Sequence, residues 1–264
     1  ALKTNIANRD TGVNEFGRSV GVDANTLMVG AYNSLSSKGA ASFFVNVFRR
    51  PYDREGDNAS NRGVYRPSTN YFYTYMMTPP PATTPTPSTE SFNYGTTNDK
   101  IVPADYDGDG KMDYAVWRPS TQIWYVWKST TNSEVTQYWG ASGDIPIPSD
   151  LDGDGKADYA VFRPSNKTWY WKRSDGGADG SVQLNYSGTV NPVLADFDGD
   201  GKAEPAIFRI DSGVGYWNWY NTATAQSGSQ QYGTNGDIPT PGDFDGDSKT
   251  DITVYRPSTG YWYS

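Results

Sequence analysis

Asp105-Tyr-Asp-Gly-Asp-Gly-Lys-Met-Asp113 is the stretch that decides the fold, because the chain contains four loops of this design. The other three begin at Asp150, Asp196 and Asp243, so successive loops start 45, 46 and 47 residues apart. A regular period in this range predicts one supersecondary unit copied side by side, each copy covering the apolar face of its neighbour. The loops therefore predict both a repeat architecture and a series of metal sites.

Each loop carries carboxylates at its positions 1, 3, 5 and 9, and these charges repel one another unless a cation lies among them. Oxygen ligands without His or Cys favour Ca²⁺ over transition metals. The backbone carbonyl of the lysine at position 7 is expected to complete the ligand set, with the lysine side chain pointing away. We therefore expect about four calcium ions. The predicted ligands are Asp105, Asp107, Asp109, Lys111, Asp113, Asp150, Asp152, Asp154, Lys156, Asp158, Asp196, Asp198, Asp200, Lys202, Glu204, Asp243, Asp245, Asp247, Lys249 and Asp251.

The loop is not an EF-hand, because an EF-hand needs Glu at position 12 and Val116 stands there. The alternative interpretation is an acidic surface turn that binds nothing, since Asp and Gly are ordinary turn residues. Four copies in register favour metal sites over that alternative.

Short aromatic and β-branched runs follow each loop and predict strands. After Asp113 come Tyr-Ala-Val-Trp-Arg118 and then Trp124-Tyr-Val-Trp127, and a similar pair of runs follows Asp158. Each unit is predicted to be a strand, the loop, and three further strands joined by turns. Four antiparallel strands in about 46 residues is the size of one propeller blade, so the fold class is all-β.

An aspartate six residues before a loop and an arginine after it also recur. Identical residues in several units predict a structural role, and we expect the arginines to tie adjacent blades by hydrogen bonds. The third copy departs, with Ile210-Asp211 in place of Pro-Ser. The recurring residues are Asp99, Asp144 and Asp237, and Arg66, Arg118, Arg163, Arg209 and Arg256.

A decayed copy of the unit lies upstream, aligned on Arg66-Pro-Ser68. Its loop lacks the glycine at position 6 and one carboxylate, so weak metal binding or none is expected. Its positions 1, 3, 5 and 9 are Asp53, Glu55, Asp57 and Asn61. The Pro/Thr-rich insert 79–89 follows and is expected to stay outside the strand ladder as an extended surface excursion.

The loop pattern between two strands resembles the calcium loops of FG-GAP and VCBS repeats, which occur in integrin α-chain propellers and in secreted propellers. Phe16-Gly17, followed by Thr26-Leu-Met-Val-Gly30-Ala31, resembles an FG-GAP repeat whose connection is too short for a calcium loop. The resemblance implies a calcium-binding β-propeller. It implies little about the partner, because such propellers serve as lectins, adhesion modules, lyase scaffolds and assembly platforms.

The predicted propeller is a single domain of six four-stranded blades over residues 1–264. Residues 1–16 are expected to close the last blade, 17–49 to form a blade without a calcium loop, 50–102 the degenerate blade, and 103–264 the four calcium-loop blades. The alternatives are five or seven blades, and an open last blade that takes a strand from another subunit.

Composition limits the partners. The formal net charge is −8, but sixteen of the 30 acidic residues belong to the four loops, which leaves fourteen against 22 basic residues. The sequence has no basic patch that would predict nucleic-acid binding, and it has no long apolar run that would predict a membrane span. The chain has no Cys, so bound calcium ions rather than disulfides would be the cross-links that stabilise the fold. Because extracellular calcium is high enough to fill such loops, a secreted or cell-surface location is expected.

The chain is expected not to be an enzyme, because without His or Cys it has no histidine base, no usual triad and no zinc site. The preferred function is a lectin-like recognition or adhesion module for a glycan or a cell-surface or matrix component. The alternatives are a structural subunit of an extracellular assembly or filament, and a polysaccharide lyase using Tyr with Arg or Lys. Candidate sugar-stacking residues are Trp124, Trp169, Trp217 and Trp262, for which packing between blades is the alternative.

Overall fold

The computed structural model describes residues 19–22, 26–30, 62–77, 87–245 and 247–264. These residues form small antiparallel sheets, and five of the sheets, each of three or four strands, are the blades of a β-propeller. The first blade contains β3 (Arg62–Arg66), β4 (Tyr71–Met77) and β5 (Pro87–Asn93); the second β6 (Lys100–Ile101), β7 (Tyr114–Arg118), β8 (Ile123–Lys128) and β9 (Ser133–Tyr138); the third β10 (Ile145–Pro146), β11 (Tyr159–Arg163), β12 (Thr168–Lys172) and β13 (Gly180–Gln183); the fourth β14 (Val190–Ala195), β15 (Glu204–Asp211), β16 (Val214–Asn221) and β17 (Gln226–Thr234); the fifth β18 (Ile238–Pro239), β19 (Val254–Arg256) and β20 (Tyr261–Tyr263).

The predicted number of six blades is wrong, because the described residues form five. The described part of the predicted first blade is only a hairpin, in which β1 (Ser19–Val22) pairs with β2 (Thr26–Gly30). Two strands do not make a blade of the predicted four-stranded kind. The closing strand predicted within residues 1–16 and the degenerate loop from Asp53 to Asn61 lie outside the described residues.

The insert 79–89 was expected to stay out of the ladder, and this is wrong at its C-terminal end. Pro87 begins β5 opposite Met77, and Ser88 and Thr89 continue the pairing with β4. A proline is tolerated at the first residue of a strand and on an edge strand, and β5 is the outer strand of its sheet.

Within a blade the strands follow chain order, as the repeat unit predicts. The second strand is almost completely buried, and the third alternates: Trp124 and Val126 are buried, whereas Tyr125 and Trp127 are half-buried. The fourth strand, β9, is mostly exposed. The loop beginning at Asp105 connects the first strand to the second, so the sheet fixes both ends of the loop.

Aromatic rings fill the space between blades. Tyr106 of the second blade stacks on Tyr159 of the third with ring centroids 5.4 Å apart, and its hydroxyl donates to the Val102 carbonyl. Between the first and second blades, Phe92 stacks on Tyr114 at 4.6 Å. Because aliphatic side chains are sparse, these ring contacts supply much of the apolar burial that joins neighbouring sheets.

Arginine and aspartate pairs secure the connections between blades. Arg118 on β7 donates from Nε and Nη2 to the two carboxylate oxygens of Asp99, both at 2.9 Å, and its guanidinium lies over the Tyr125 ring. Asp99 lies in the turn that leads from β5 to β6, and it also accepts from the Thr96 N–H at 2.8 Å. The same pairing joins Arg163 to Asp144 and Arg256 to Asp237. The predicted structural role is confirmed for Arg118, Arg163 and Arg256, each of which is hydrogen-bonded to the connection from the preceding blade.

Among the described residues, no helix is long and apolar enough to cross a membrane.

Candidate metal sites in the blade loops

The carboxylate at position 1 organises each loop. In the first loop, Asp105 accepts from the N–H groups of Gly108 at 2.6 Å and Gly110 at 2.8 Å. Both glycines have positive φ, 80° and 82°, so the backbone curls around the carboxylate. Asp150 and Asp196 are held in the same way.

The carboxylates at positions 1, 3 and 9 converge in all four loops. In each group the oxygens lie within 4.8 Å of one another, and in the third loop the position 5 carboxylate joins them. The groups are Asp105, Asp107 and Asp113; Asp150, Asp152 and Asp158; Asp196, Asp198, Asp200 and Glu204; and Asp243, Asp245 and Asp251.

The remaining position 5 carboxylates, those of Asp109, Asp154 and Asp247, do not join these groups. Asp109 instead accepts from the Lys111 N–H at 2.8 Å and from the Ser129 hydroxyl at 2.9 Å. These two hydrogen bonds orient its side chain without a contribution from the other carboxylates.

Residues beyond the loop also contribute to the site, and the sequence reasoning missed them. Position 9 accepts a backbone N–H from the turn after the third strand: Ser129 donates to Asp113 at 2.7 Å, and Ser174 donates to Asp158 at 2.9 Å. In the third loop the Asn221 amide donates to Asp198 and Glu204 instead. The sequence separation between position 9 and these turns recurs from blade to blade, and these residues could have been predicted from it.

The first and second loops differ in what approaches position 3. Thr130 donates its hydroxyl to Asp107. In the second loop, Arg173 places its Nε 2.6 Å from an Asp152 oxygen, and Asp175 lies close to Asp152 and Asp154. The guanidinium therefore neutralises part of the charge that a metal ion would otherwise neutralise.

Burial raises the pKa of the position 9 carboxyl groups. The pKa values of Asp113 and Asp158 are raised to about 7 and that of Glu204 to about 8, because burial disfavours the charged form. The neighbouring carboxylates add to the shift in each case, and the hydrogen bonds from backbone N–H groups oppose it. Such groups are stabilised by whichever positive species reaches them, a proton or a cation.

The donor set fits Ca²⁺. All the grouped side chains offer oxygen, which is the ligand type that calcium prefers. In the first loop, Oδ1 of Asp107 is buried and accepts no hydrogen bond. A buried carboxylate oxygen without a partner is costly, and a cation held by Asp105, Asp107 and Asp113 would satisfy it. The predicted carbonyl ligands at Lys111, Lys156, Lys202 and Lys249 stay a prediction.

The loops of neighbouring blades contact one another directly. The Ala157 N–H donates to the Asp105 carbonyl at 2.7 Å, and two further bonds continue the series. In addition, the Lys156 side chain covers Gly108, where an added Cβ would lie 3.0 Å from the lysine Cγ. The further bonds are Ala203 to Asp150 and Thr250 to Asp196, and the further covers are Lys202 over Gly153 and Lys249 over Gly199.

The fourth loop is the most open. Asp245 is exposed, and Asp243 and Asp251 are half-buried. Ser248 occupies position 6 with φ 70°, where the other loops have glycine. A side chain at positive φ is strained, so this loop is less well preorganised for an ion.

Three of the four tryptophans considered as sugar contacts are in the core. Trp124, Trp169 and Trp217 have no exposed surface, and a ring without exposed surface has no face to stack on a sugar. For these three the alternative interpretation, packing within and between blades, is correct. Trp262 pairs with Tyr255 across β19 and β20 and is half-buried, so its role in ligand binding stays a prediction.

Comparisons with known proteins identify the repeat. A family model described as an FG-GAP-like repeat matches residues 150–205, which run from the start of the second loop to the start of β15. No curated protein sequence matches the chain significantly. A solved structure of a protein from Lactobacillus plantarum is 15% identical, with a TM-score of 0.41, over 74% of this chain and 67% of that chain.

The family match covers one complete loop-to-loop unit, and the same unit recurs in the neighbouring blades. The five blades, the repeated loops and the matched repeat together show that the chain is an FG-GAP-type repeat β-propeller.

Proposed function

We propose that the propeller binds calcium in its blade loops and acts outside the cell as a recognition or adhesion module, with carbohydrate as its ligand class. The observation that supports this most is the convergence of carboxylates in all four loops, with a buried position 9 carboxylate in the first three. Propellers with FG-GAP repeats are often binding proteins, which favours recognition as the role of the fold.

The charge balance supports the calcium part of the proposal. The formal net charge is −8, and four divalent ions would neutralise it. Extracellular calcium is concentrated enough to fill sites of modest affinity, whereas cytosolic calcium is not. A propeller that depends on such loops for stability would therefore function best outside the cell.

The proposal places the function in binding rather than catalysis. The chain has no His or Cys, and many of its buried carboxylates belong to the loops or to the arginine pairs that hold the blade connections. Tyr138 and Tyr261 are 63% and 58% exposed and offer aromatic faces to sugar rings. Weak sites on several blades would add by avidity.

A glycan array probed in calcium and in excess chelator tests the proposal. We expect binding in calcium, its loss in chelator, and weaker binding by Tyr138→Ala and Tyr261→Ala. Ile145→Ala removes an exposed apolar side chain without a ring and serves as the control, which should bind as the unmodified protein does.

A folded, calcium-loaded protein that binds no glycan would contradict the carbohydrate proposal. Depolymerisation of an acidic polysaccharide by the same preparation would contradict the non-catalytic role.

A further inference from the structure

The fourth blade lacks the carboxylate that neutralises the recurring arginine in three other blades. In the third blade the first pair of β10 and β11 is Ile145 opposite Phe162, so Asp144 lies beside Arg163. In the fourth blade Arg209 is the counterpart of Arg163, and Val190 lies opposite it. Valine therefore occupies the position of the aspartate, and it offers no hydrogen-bond acceptor from its side chain.

Arg209 keeps the position of its counterparts but has different partners. Its Nε donates to the Asn218 amide oxygen at 3.1 Å, and its Nη1 contacts Asp211 at 3.1 Å. The guanidinium lies 4.7 Å from the centroid of the Tyr216 ring and 5.2 Å from that of the Tyr186 ring. The side chain is only 13% exposed.

The Nη2 nitrogen of Arg209 differs from its counterparts in the other blades. In Arg163, Nη2 donates to Asp144 at 2.9 Å, and in Arg256 it donates to Asp237 at 2.9 Å. Within the described residues, Nη2 of Arg209 has no hydrogen-bond partner. The Asp211 carboxylate does not replace the missing one, because it contacts Nη1 and its side chain is 52% exposed.

The other blades show which chemistry suits the open Nη2 of Arg209. The Nε and Nη2 edge of a guanidinium matches a carboxylate, and the protein fills that edge with a buried aspartate in three blades. In Arg209 the Asn218 amide oxygen accepts from Nε, so Nη2 is the open part of that edge. Beside Arg209 the turn residues Ser187, Gly188 and Thr189 are exposed, so the vacant position is close to solvent.

We propose that Nη2 of Arg209 binds a carboxylate oxygen of an acidic sugar, a uronic acid residue, on the edge of the guanidinium that faces an aspartate in the other blades. The half-buried rings of Tyr186 and Tyr216 flank the guanidinium, and the exposed residues Ser187 and Thr189 follow Tyr186 in the chain. The choice of a sugar as the source of the carboxylate rests on the proposed function.

Restoring the missing aspartate tests the site. Val190→Asp places a carboxylate opposite Arg209, as in the other blades, and should weaken ligand binding. Val190→Thr is the matched control, because it is β-branched and uncharged and should bind normally. Arg209→Gln removes the guanidinium and tests the site independently should Val190→Asp not fold.

The measurement is calorimetric titration with an oligogalacturonate, compared with a neutral galactose oligomer of the same length and an acidic peptide of the same charge. We expect the oligogalacturonate to bind, with an affinity about tenfold or more lower in Val190→Asp and Arg209→Gln. Equal affinity in folded Val190→Asp and unmodified protein overturns the proposal, as does preferred binding of the neutral oligomer or of the peptide.

The experiment distinguishes failure of this binding site from failure of the proposed function. Glycan binding that survives both Val190→Asp and Arg209→Gln leaves the recognition role standing and removes only this site. Uronate binding that depends on Arg209 but not on calcium keeps this site and contradicts the calcium part of the proposed function.

Discussion

The N–H of Ala157 donates a hydrogen bond of 2.7 Å to the carbonyl oxygen of Asp105, and so joins the loops of two neighbouring blades. Ala157 occupies position 8 of the second loop, and Asp105 occupies position 1 of the first. An ion that orders one loop therefore also restrains the backbone of the next. This coupling leads us to expect positive cooperativity between neighbouring sites.

Replacing Asp107 by Asn should reduce the stabilisation by calcium. The substitution removes a charge from the group formed with Asp105 and Asp113. A site saturated at about 100 times its Kd contributes about 2.7 kcal/mol, so the loss of one site should remove about that much from the calcium-dependent free energy of unfolding. Urea unfolding with calcium and with chelator measures it.

Asp179→Asn is the control for this loop substitution, because Asp179 belongs to an exposed ion pair with Lys172 outside the loops. It should leave the calcium-dependent part unchanged. An undiminished calcium effect in Asp107→Asn would contradict a role for this residue in binding.

In the presence of chelator, the protein should lose stability as the pH rises from the ordinary carboxyl range near 4 up to about 8. The pKa values of Asp113, Asp158 and Glu204 are raised to about 7, 7 and 8 in the folded state. A carboxyl group whose folded pKa is raised binds its proton more tightly when folded, so its stabilising contribution is complete below the unfolded pKa near 4 and is lost progressively as the pH rises to the folded pKa. Melting temperatures between pH 5 and pH 8.5 check this expectation.

Calcium should weaken or reverse that pH trend, because an ion compensates the charged carboxylates that the proton no longer neutralises. Stability that rises steadily with pH in chelator would show that the buried carboxylates do not carry the cost assigned to them.

Ser248→Gly should stabilise the fourth loop. Ser248 has φ 70°, and glycine adopts this conformation without strain. The expected gain is up to about 1 kcal/mol in the free energy of unfolding, since the relief of strain is partly offset by the flexibility of glycine in the unfolded chain.

The reverse substitution, Gly110→Ser in the first loop, is the matched comparison. A Cβ at Gly110 would meet no atom within 4 Å, so only its φ of 82° resists the change. It should cost about 1 kcal/mol. If both substitutions shift stability in the same direction, backbone strain does not explain the difference between the loops.

Asp144 and Arg163 should be strongly coupled. The Asp144 side chain is completely buried and accepts from Arg163 at 2.8 and 2.9 Å and from the Ala141 N–H at 2.8 Å. A double-mutant cycle of Asp144→Asn and Arg163→Gln should give a coupling energy of about 1 to 3 kcal/mol. Additive effects of the two substitutions on urea unfolding would show that this pair does not stabilise the connection between blades.

The local unit could be predicted from the sequence, because its signals are local. The spacing of Asp105, Asp107 and Asp113 fixed which carboxylates meet, and the runs around Trp117 and Trp124 indicated the strands that hold the loop. Asp109 was expected to join the group, but its hydrogen bonds to Lys111 and Ser129 orient it differently.

Relations between units were harder to predict. The bond from Ala157 to Asp105 depends on the distance between neighbouring sheets, which no single copy encodes. The Phe-Gly pattern at Phe16-Gly17 predicts a whole blade, whereas the described residues that follow it form one hairpin. The substitution of Val190 for aspartate was visible in the repeat, but its meaning needed the pairing with Arg209.

Direct measurement of bound calcium tests the central claim that the grouped carboxylates of the blade loops hold divalent ions. Protein stripped with chelator and then dialysed against calcium should contain about four ions per chain by elemental analysis, and should melt at a higher temperature than the stripped protein. A metal content near zero after dialysis, together with identical melting curves in calcium and in chelator, would contradict the account.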